Sequence, residues 1–123
     1  MIFRHAQNKN LGKEGERIAV EYLRKKGYRV IEENYRTRRG EIDIICEQRG
    51  SVIFVEVKTR KSMSFGRPEE AVDSRKRKKM AEIALDYLTK KHLNGRVDCR
   101  FDVVAITEKS PRIVNHIVDA FRP

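Results

Sequence analysis

The sequence contains few of the residues that mark secreted or membrane-bound proteins. It has no tryptophan, three prolines and two cysteines, and the spacing of Cys46 and Cys99 fits neither a disulfide framework nor a metal site. No apolar run is long enough to cross a membrane, and residues 1–10 lack the apolar stretch of a secretion signal. These absences predict a reduced, cytoplasmic protein without a membrane partner.

Acidic residues are scarce relative to basic ones. The chain has 28 Lys and Arg against 18 Asp and Glu, and its net charge of +10 is large for 123 residues. An excess of this size indicates an anionic polymer as partner, and nucleic acid is the natural one. The length and the 39% apolar content predict one domain with a single modest core. Residues 1–10 are expected to be flexible.

The spacing of apolar residues predicts the element order αβββαββ. A first helix is expected to follow Asn10 and to stop at Gly27, and a second to cover about 68–91 with a break near Asp73. Strands are expected at 28–34, 40–46, 52–58, 97–106 and 113–118. We therefore predict an α/β domain whose mixed sheet of about five strands is flanked by two main helices.

The most informative feature is a hairpin whose two strands carry acids in their interiors. Arg49-Gly50 is typical of a two-residue hairpin loop, and such a loop fixes the register of the flanking strands. That register places Asp43 directly opposite Glu56, with Cβ atoms roughly 5 Å apart, and Glu41 opposite Lys58. Like charges at this distance are tolerated if the acids share a proton, if a cation lies between them, or if both stay hydrated.

Alternation along the two strands predicts one apolar and one charged face. The apolar face would hold Ile42, Ile44, Cys46, Ile53, Val55 and Val57. Ile45 and Phe54 would share the other face with the charges, so we expect that face to be covered and its acids to have partners. The pairing alone is explained equally well by a solvated hairpin face on which Glu41 and Lys58 form an ordinary ion pair.

At these residues the chain resembles the restriction-endonuclease-like nucleases with the PD-(D/E)xK signature, and within them the small bacterial YraN-like proteins, which are similar to Holliday junction resolvases. The resemblance extends from about Leu11 to Phe121 and is carried by residues 12–16, 40–43, 54–60 and 100–104. Ile42 stands where many members of the superfamily have proline. The resemblance implies a restriction-endonuclease-like fold and a metal-dependent phosphodiesterase site at Asp43, Glu56 and Lys58.

The chemistry of these side chains suits that implication. Asp43 and Glu56 offer the hard oxygen ligands that Mg²⁺ or Mn²⁺ prefers, and the carbonyl of Val57 could complete the shell. Lys58 follows Glu56 by two residues and so shares its face, where it could orient a water or stabilise charge on the phosphate.

Glu16 is a further candidate for the site. At about 100° per residue it falls at the border of the apolar stripe of the first helix, whereas Glu14 and Glu21 fall outside it. The spacing leaves open a surface role in which Glu16 pairs with Lys13 or Arg17. Similarity to the resolvase-like proteins, in which a glutamate of the first helix joins the acidic cluster, implies a role in the site.

Basic residues cluster in the loops next to these strands and at the start of the second helix. They are candidates for contacts to a nucleic-acid backbone: Arg36, Arg38, Arg39, Arg60, Lys61, Arg75, Lys76, Lys78 and Lys79. The alternative is that the run at 75–79 is only a solvated helix face.

The leading function predicted from the sequence is a Mg²⁺- or Mn²⁺-dependent DNA endonuclease that acts on branched, nicked or single-stranded structures. The alternative is a nucleic-acid-binding accessory protein whose site cleaves weakly or only within a complex. The sequence leaves open the choice between DNA and RNA, and whether two copies form a homodimer to cut two strands.

Overall fold

The order of helices and strands is the predicted αβββαββ, which confirms the α/β class. The structure is a computed structural model that describes residues 2–61 and 72–122. Its elements are α1 (Ile2–Lys25), β1 (Arg29–Thr37), β2 (Gly40–Gln48), β3 (Ser51–Arg60), α2 (Ser74–Lys90), β4 (Cys99–Thr107) and β5 (Val114–Phe121). No helix in this described part of the chain is long and apolar enough to span a membrane.

The five strands form one mixed sheet in the order β1-β2-β3-β4-β5. Neighbouring strands are antiparallel except β3 and β4, which run parallel. Parallel neighbours need a crossover connection, and α2 lies in the segment that joins β3 to β4. The hairpin of β2 and β3 therefore lies inside the sheet, with β1 on one side and β4 on the other.

The register of the central hairpin is the predicted one. It runs from Gln48 opposite Ser51 to Ile44 opposite Val55. The ladder ends there, so it does not include the predicted pairings of Asp43 with Glu56 and of Glu41 with Lys58. Arg49 and Gly50 have φ angles of 52° and 83°, as a type I′ turn requires at both of its central residues.

The first helix starts earlier than predicted and stops where predicted. It begins at Ile2, so the expected cap at Asn10 is wrong: asparagine inside a helix costs less than about 1 kcal/mol, and residues 2–11 contain no glycine or proline to interrupt it. At the other end Gly27 has a φ of 90°, and Tyr28 donates its N–H to the carbonyl of Leu23. This arrangement is a Schellman motif, in which glycine takes the left-handed conformation.

The sheet separates two apolar layers. The α1 side buries Ala19, Val20, Leu23, Tyr28, Ile44, Cys46, Ile53, Val55, Val104 and Ile106. The α2 side buries, among others, Ile42, Ile45, Phe54, Phe101, Val103 and the predicted helix stripe of Met80, Ile83, Ala84, Tyr87 and Leu88. Helix α2 begins at Ser74. The preceding residue, Asp73, caps it by accepting a hydrogen bond from the backbone N–H of Lys76 at 2.9 Å. The predicted start at 68 lies outside the described residues.

A fully buried acid, Asp102, joins the two strands at the far edge of the sheet. Its carboxylate lies 2.9 Å from Arg100 and 2.7 Å from His116, and it accepts a 3.0 Å hydrogen bond from the N–H of Asp119. Burial alone would raise the pKa of Asp102, but these hydrogen bonds outweigh it and the pKa lies below its usual value. The segment at 100–104, one of those that carry the nuclease resemblance, thus contains a structural ion cluster that links β4 to β5.

Gly15 sets the distance between α1 and β3. A Cβ atom at this position would collide with the hydroxyl of Thr59, which follows Lys58 in the strand. By contrast, a Cβ atom at Gly12, one turn earlier, would meet nothing within 4 Å. The close approach at Gly15 therefore holds the neighbouring Glu16 near the strand that carries Lys58.

We expect Gly15→Ala to lower the free energy of unfolding by about 1–2 kcal/mol because the new methyl group overpacks the contact with Thr59. In a Thr59→Ala background the same change should instead stabilise the protein by up to about 1 kcal/mol, the difference in helix propensity between alanine and glycine. Gly12→Ala is the matched control and should be stabilising in both backgrounds. Urea denaturation measures all of these values, and an equal effect of Gly15→Ala in both backgrounds would contradict the assignment.

Candidate active site

The strands β2 and β3 separate at Asp43. Their ladder ends where Ile44 faces Val55. Hydrogen-bonded and non-hydrogen-bonded pairs alternate along an antiparallel ladder, and the pair that closes the turn, Gln48 and Ser51, is hydrogen-bonded. Every second residue of β3 from Ser51 onward therefore directs its N–H and carbonyl toward β2, and Val57 is one of them. The Val57 N–H donates to the Asp43 carboxylate at 2.8 Å. Asp43 thus takes the place of a backbone acceptor in the gap between the strands.

The pleat of β2 is interrupted at the same point, and the predicted face of Ile42 is wrong. Ile42 packs in the layer on the α2 side, whereas Ile44 packs on the α1 side. In the neighbouring strand β1, the residue across from Asp43 is Asn34, which has a φ of 53° in the left-handed region. Alternation holds only along a continuous ladder, and both strands deviate from regular geometry here.

Asp43 and Glu56 form a close pair of carboxyl groups. Burial, the charge of Glu56 and a hydrogen bond to it raise the pKa of Asp43 from 3.8 to about 8. The Glu56 residue is itself buried, with 4% of its surface exposed. At neutral pH a proton is therefore favoured on the Asp43 carboxyl group in the metal-free protein, which is one of the conditions under which opposed acids are tolerated.

Two lysines contact Glu56. Lys58 Nζ lies 3.6 Å and Lys76 Nζ 3.2 Å from the same carboxylate oxygen, Oε2. The ion pair between Glu41 and Lys58 that belongs to the solvated-face alternative does not form, since Lys58 pairs with Glu56. Glu41 pairs with Arg36 at 3.0 Å, because Arg36 is its direct partner across the intact β1–β2 ladder, whereas the ladder to β3 has already ended.

Glu16 lies near this acid pair. Its pKa is raised by burial and by nearby acids that include Glu56, against the opposite effect of a hydrogen bond from the Asn34 side chain. The surface pairing that the helix spacing left open does not form, since Arg17 pairs with Glu21 at 3.0 Å and Glu16 has no ion pair among the described residues. The site role that the resemblance implies for Glu16 stays a prediction.

The donor set suits a hard divalent cation bound in part by water. In the described part of the chain, no three His, Cys, Asp or Glu side chains come together as a metal-binding group. The available donors are the carboxylates of Asp43 and Glu56 and the carbonyl of Val57, which faces the same gap. Mg²⁺ is commonly held by one or two carboxylates and keeps several waters, so these donors fit it.

The basic residues of α2 and of the β1–β2 hairpin tip lie side by side. The side chain of Lys79 comes within 3.5 Å of a Cβ built on Gly40, and Arg39 at the tip pairs with Glu82 of α2 at 3.3 Å. Arg75, Lys78 and Lys79 are exposed and have no ion pair among the described residues. We call these three residues the α2 basic patch.

The other predicted phosphate contacts differ in availability. Arg36 and Arg39 already pair with acids, and exposed pairs of this kind contribute little stability and can be exchanged for other anions. Arg38 at the hairpin tip is exposed, as is Lys61 just beyond β3. Arg60 follows Lys58 by two residues and so lies on the same face of β3.

The sequence interpretation missed two contributors to the site. The sequence predicts Lys76 as a phosphate contact, yet Lys76 contacts Glu56 directly. No local pattern distinguishes it from the other basic residues at 75–79. The sequence predicts Asn34 only as a strand residue, although asparagine is depleted in strands and tolerates the left-handed conformation, which is an available signal.

Comparison with known proteins identifies the family. The profile of "Uncharacterised protein family UPF0102" matches residues 15–106. The chain belongs to the UPF0102 family. A UPF0102 protein of Syntrophomonas wolfei is 47% identical over 115 residues, which cover 93% of this chain and 99% of the relative. A UPF0102 protein of Persephonella marina is 46% identical over 89% of this chain and 91% of the relative. A UPF0102 protein of Clostridioides difficile is also 46% identical, over 93% of this chain and 98% of the relative.

The matched segment of the UPF0102 family includes every residue of the candidate site. It begins at the close-packed Gly15 and extends beyond Asp102 to Ile106, the residue before the end of β4. The match confirms the resemblance to the YraN-like proteins, and it assigns no activity.

The raised pKa of Asp43 predicts a pH-dependent stability in the absence of metal. A folded-state pKa above the unfolded one favours folding at low pH, so this contribution is present below about pH 4 and is lost by about pH 8. Asp43→Asn removes the ionisation but keeps an oxygen that can accept the Val57 N–H. In EDTA, the free energy of unfolding of the unmodified protein should therefore fall relative to that of the variant as the pH rises from about 4 to about 8. The fall should be at most about 1.4 kcal/mol per pH unit.

Urea denaturation at several pH values measures this difference. A difference between the two proteins that stays constant from about pH 5 to about pH 8 would show that the two carboxyl groups are not coupled.

Proposed function

We propose that this UPF0102 protein is a metal-dependent endonuclease that hydrolyses phosphodiester bonds of DNA, including branched or single-stranded structures, and that it is a member of the PD-(D/E)xK superfamily. One observation carries the proposal: the buried Glu56 carboxylate has two lysine ammonium groups at one of its oxygens, and the Asp43 carboxylate accepts the N–H of Val57, the residue after Glu56. Such carboxylates can hold a divalent cation, and a lysine beside them can stabilise the charge that develops on a phosphate during hydrolysis.

A solvated hairpin face explains these observations poorly. Glu56 is buried, and Asp43 is hydrogen-bonded in the gap between two interior strands of the sheet. Solvated carboxylates would repel each other weakly and keep ordinary pKa values, whereas the pKa of Asp43 is raised to about 8. A sheet interior tolerates such a pair at a cost in stability, which supports a functional reason for it.

In the proposed mechanism Asp43, Glu56 and the carbonyl of Val57 hold a Mg²⁺ or Mn²⁺ ion. When bound, the ion supplies Lewis-acid chemistry that neutralises phosphate oxygens and lowers the pKa of a water. Lys58 donates to the phosphate, where negative charge grows in the transition state. Glu16 extends the acidic cluster from the α1 side, from where its carboxylate can accept a hydrogen bond from the attacking water.

The charge distribution supports nucleic acid as the substrate. The α2 basic patch extends from the helix turn that carries Lys76, and Arg38 and Lys61 are exposed at the ends of neighbouring strands. Contacts from such residues reach phosphates and carry no base specificity, which suits an enzyme that recognises the shape of DNA. Cleavage of both strands would need two sites, which a homodimer in the cytoplasm would supply.

A second candidate function is a nucleic-acid-binding accessory protein with a weak or conditional nuclease site. The contacts of Glu56 favour it, since two ammonium groups neutralise this carboxylate without any metal. In that case the α2 basic patch would bind nucleic acid, and cleavage would await a partner that moves the lysines.

The test is a cleavage screen over supercoiled, single-stranded and four-way-junction DNA, and a structured RNA, with Mg²⁺ or Mn²⁺. We expect Asp43→Asn and Glu56→Gln to abolish cleavage, because each removes a charged ligand of the cation. Either metal should raise the melting temperature of the unmodified protein, as any ligand of the native state does, and this gain should vanish in both variants. Lys58→Ala should keep the gain but lose cleavage by about 100-fold or more.

Glu41→Gln is the matched control, because it removes an acid of the same strand that pairs with Arg36 outside the site. It should retain cleavage. Activity that survives EDTA or the Asp43→Asn change would be contamination. Metal-induced stabilisation without cleavage of any substrate would favour the accessory function.

The α2 basic patch generates a separate prediction about binding. Replacing Arg75, Lys78 and Lys79 with alanine should weaken binding equally for DNA of different sequences, because phosphate contacts do not read bases. The slope of log affinity against log salt should become shallower by about one unit for each lost contact. Alanine at Lys90 and Lys91, at the opposite end of α2, is the control and should leave the slope unchanged. Fluorescence anisotropy over a salt series measures both, and an unchanged slope in the triple variant would make this patch a solvated helix face.

A further inference from the structure

One carboxylate oxygen of the candidate site is shared by two ammonium groups from different elements. Glu56 Oε2 lies 3.2 Å from Lys76 of α2 and 3.6 Å from Lys58 of β3. The Glu56 side chain is only 6% exposed, so both lysines contact a carboxylate that is almost completely buried. The residue from the helix is the closer of the two.

Lys76 differs from the α2 basic patch that surrounds it in sequence. Its backbone N–H donates to Asp73 at 2.9 Å, which fixes the first turn of α2, and its side chain reaches the site. Lys78 and Lys79 are exposed, whereas Lys76 is half-buried. The cap thus anchors Lys76 at a defined place beside Glu56, and its neighbours remain on the surface.

The four charged side chains of the site cannot balance the charge of a bound divalent cation. Asp43 and Glu56 together carry at most two negative charges, and Lys58 and Lys76 carry two positive charges. A divalent cation at the same carboxylates leaves an excess of two positive charges, and it repels the two ammonium groups that lie within 4 Å of Glu56. The nearest new anion in the proposed reaction is the phosphate.

We propose that Lys76 is a second active-site lysine, which neutralises Glu56 in the metal-free protein and contacts the phosphate of the nucleic acid when a divalent cation is bound at Glu56. The proposal rests on the proposed nuclease function. The side chain is suited to both positions, since the ammonium group is a point charge on a flexible four-carbon stem and 41% of the side chain is exposed. Lys76 therefore belongs to the catalytic machinery and not to the surface that tracks the nucleic-acid backbone.

The test compares Lys76→Ala with Lys78→Ala, which removes the same charge from the same helix without a contact to Glu56. The first measurement is a thermal-shift titration with Mg²⁺ or Mn²⁺ alone. Lys76→Ala should reach half-saturation at a metal concentration at least about threefold lower than the unmodified protein does. The reason is that the change removes a positive charge roughly 5 Å from the cation, and the repulsion between them has about this effect even in a water-like dielectric. Lys78→Ala should match the unmodified protein.

The second measurement is single-turnover cleavage at saturating metal. Lys76→Ala should slow the cleavage step by at least about tenfold although it binds metal more tightly, because a donor to the charged phosphate is lost. Lys76→Arg should recover part of the rate. Lys78→Ala should change the DNA concentration needed for half-maximal rate and leave the step itself unchanged.

The outcomes separate this inference from the proposed function. Equal metal half-saturation in Lys76→Ala and Lys78→Ala, or equal rates of the cleavage step, would overturn the role of Lys76 alone. Failure of the unmodified protein to bind either metal would overturn the nuclease proposal and this inference with it. Tighter metal binding combined with slower cleavage, seen only in Lys76→Ala, would establish the second lysine.

Discussion

The candidate site depends on one hydrogen bond, from the backbone N–H of Val57 to the carboxylate of Asp43. A backbone donor in the middle of a sheet must find a partner, and the usual one is a carbonyl of the next strand. Here the Asp43 side chain is the acceptor, so the β2–β3 ladder can end without leaving the Val57 N–H unpaired. The ladder of β2 and β3 ends at Ile44 and Val55, immediately before the two acids.

The same arrangement explains why the acid pair is costly and yet persists. Burial and proximity disfavour two negative charges, and the raised pKa of Asp43 is the result. The surroundings compensate from several directions. The Val57 N–H bonds Asp43, and lysines of β3 and α2 neutralise Glu56. Removal of any single partner would leave a buried charge less well satisfied, so the site is held as a unit by contacts from separate elements.

The sequence predicted those features of the site that local patterns determine. The turn at Arg49-Gly50 and the alternation of the flanking residues were sufficient for the hairpin register, because turn type and pleat are short-range properties. The break at Asp43 was not predictable from alternation, since it involves the left-handed conformation of Asn34 in another strand. The contact of Lys76 with Glu56 was also out of reach. It joins residues twenty positions apart across a crossover, and five adjacent basic residues look alike in sequence.

Helices α1 and α2 approach the site from opposite faces of the sheet, and this geometry divides their roles. Helix α1 brings an acid, Glu16, and its distance from β3 is limited by the contact between Gly15 and Thr59. Helix α2 contributes a positively charged residue, Lys76, from its first turn, which the Asp73 cap fixes. An acid on one side and ammonium groups on the other polarise the gap between β2 and β3. In the proposed reaction, a water that loses a proton would lie on the acidic side, and a phosphate that gains negative charge would lie on the basic side.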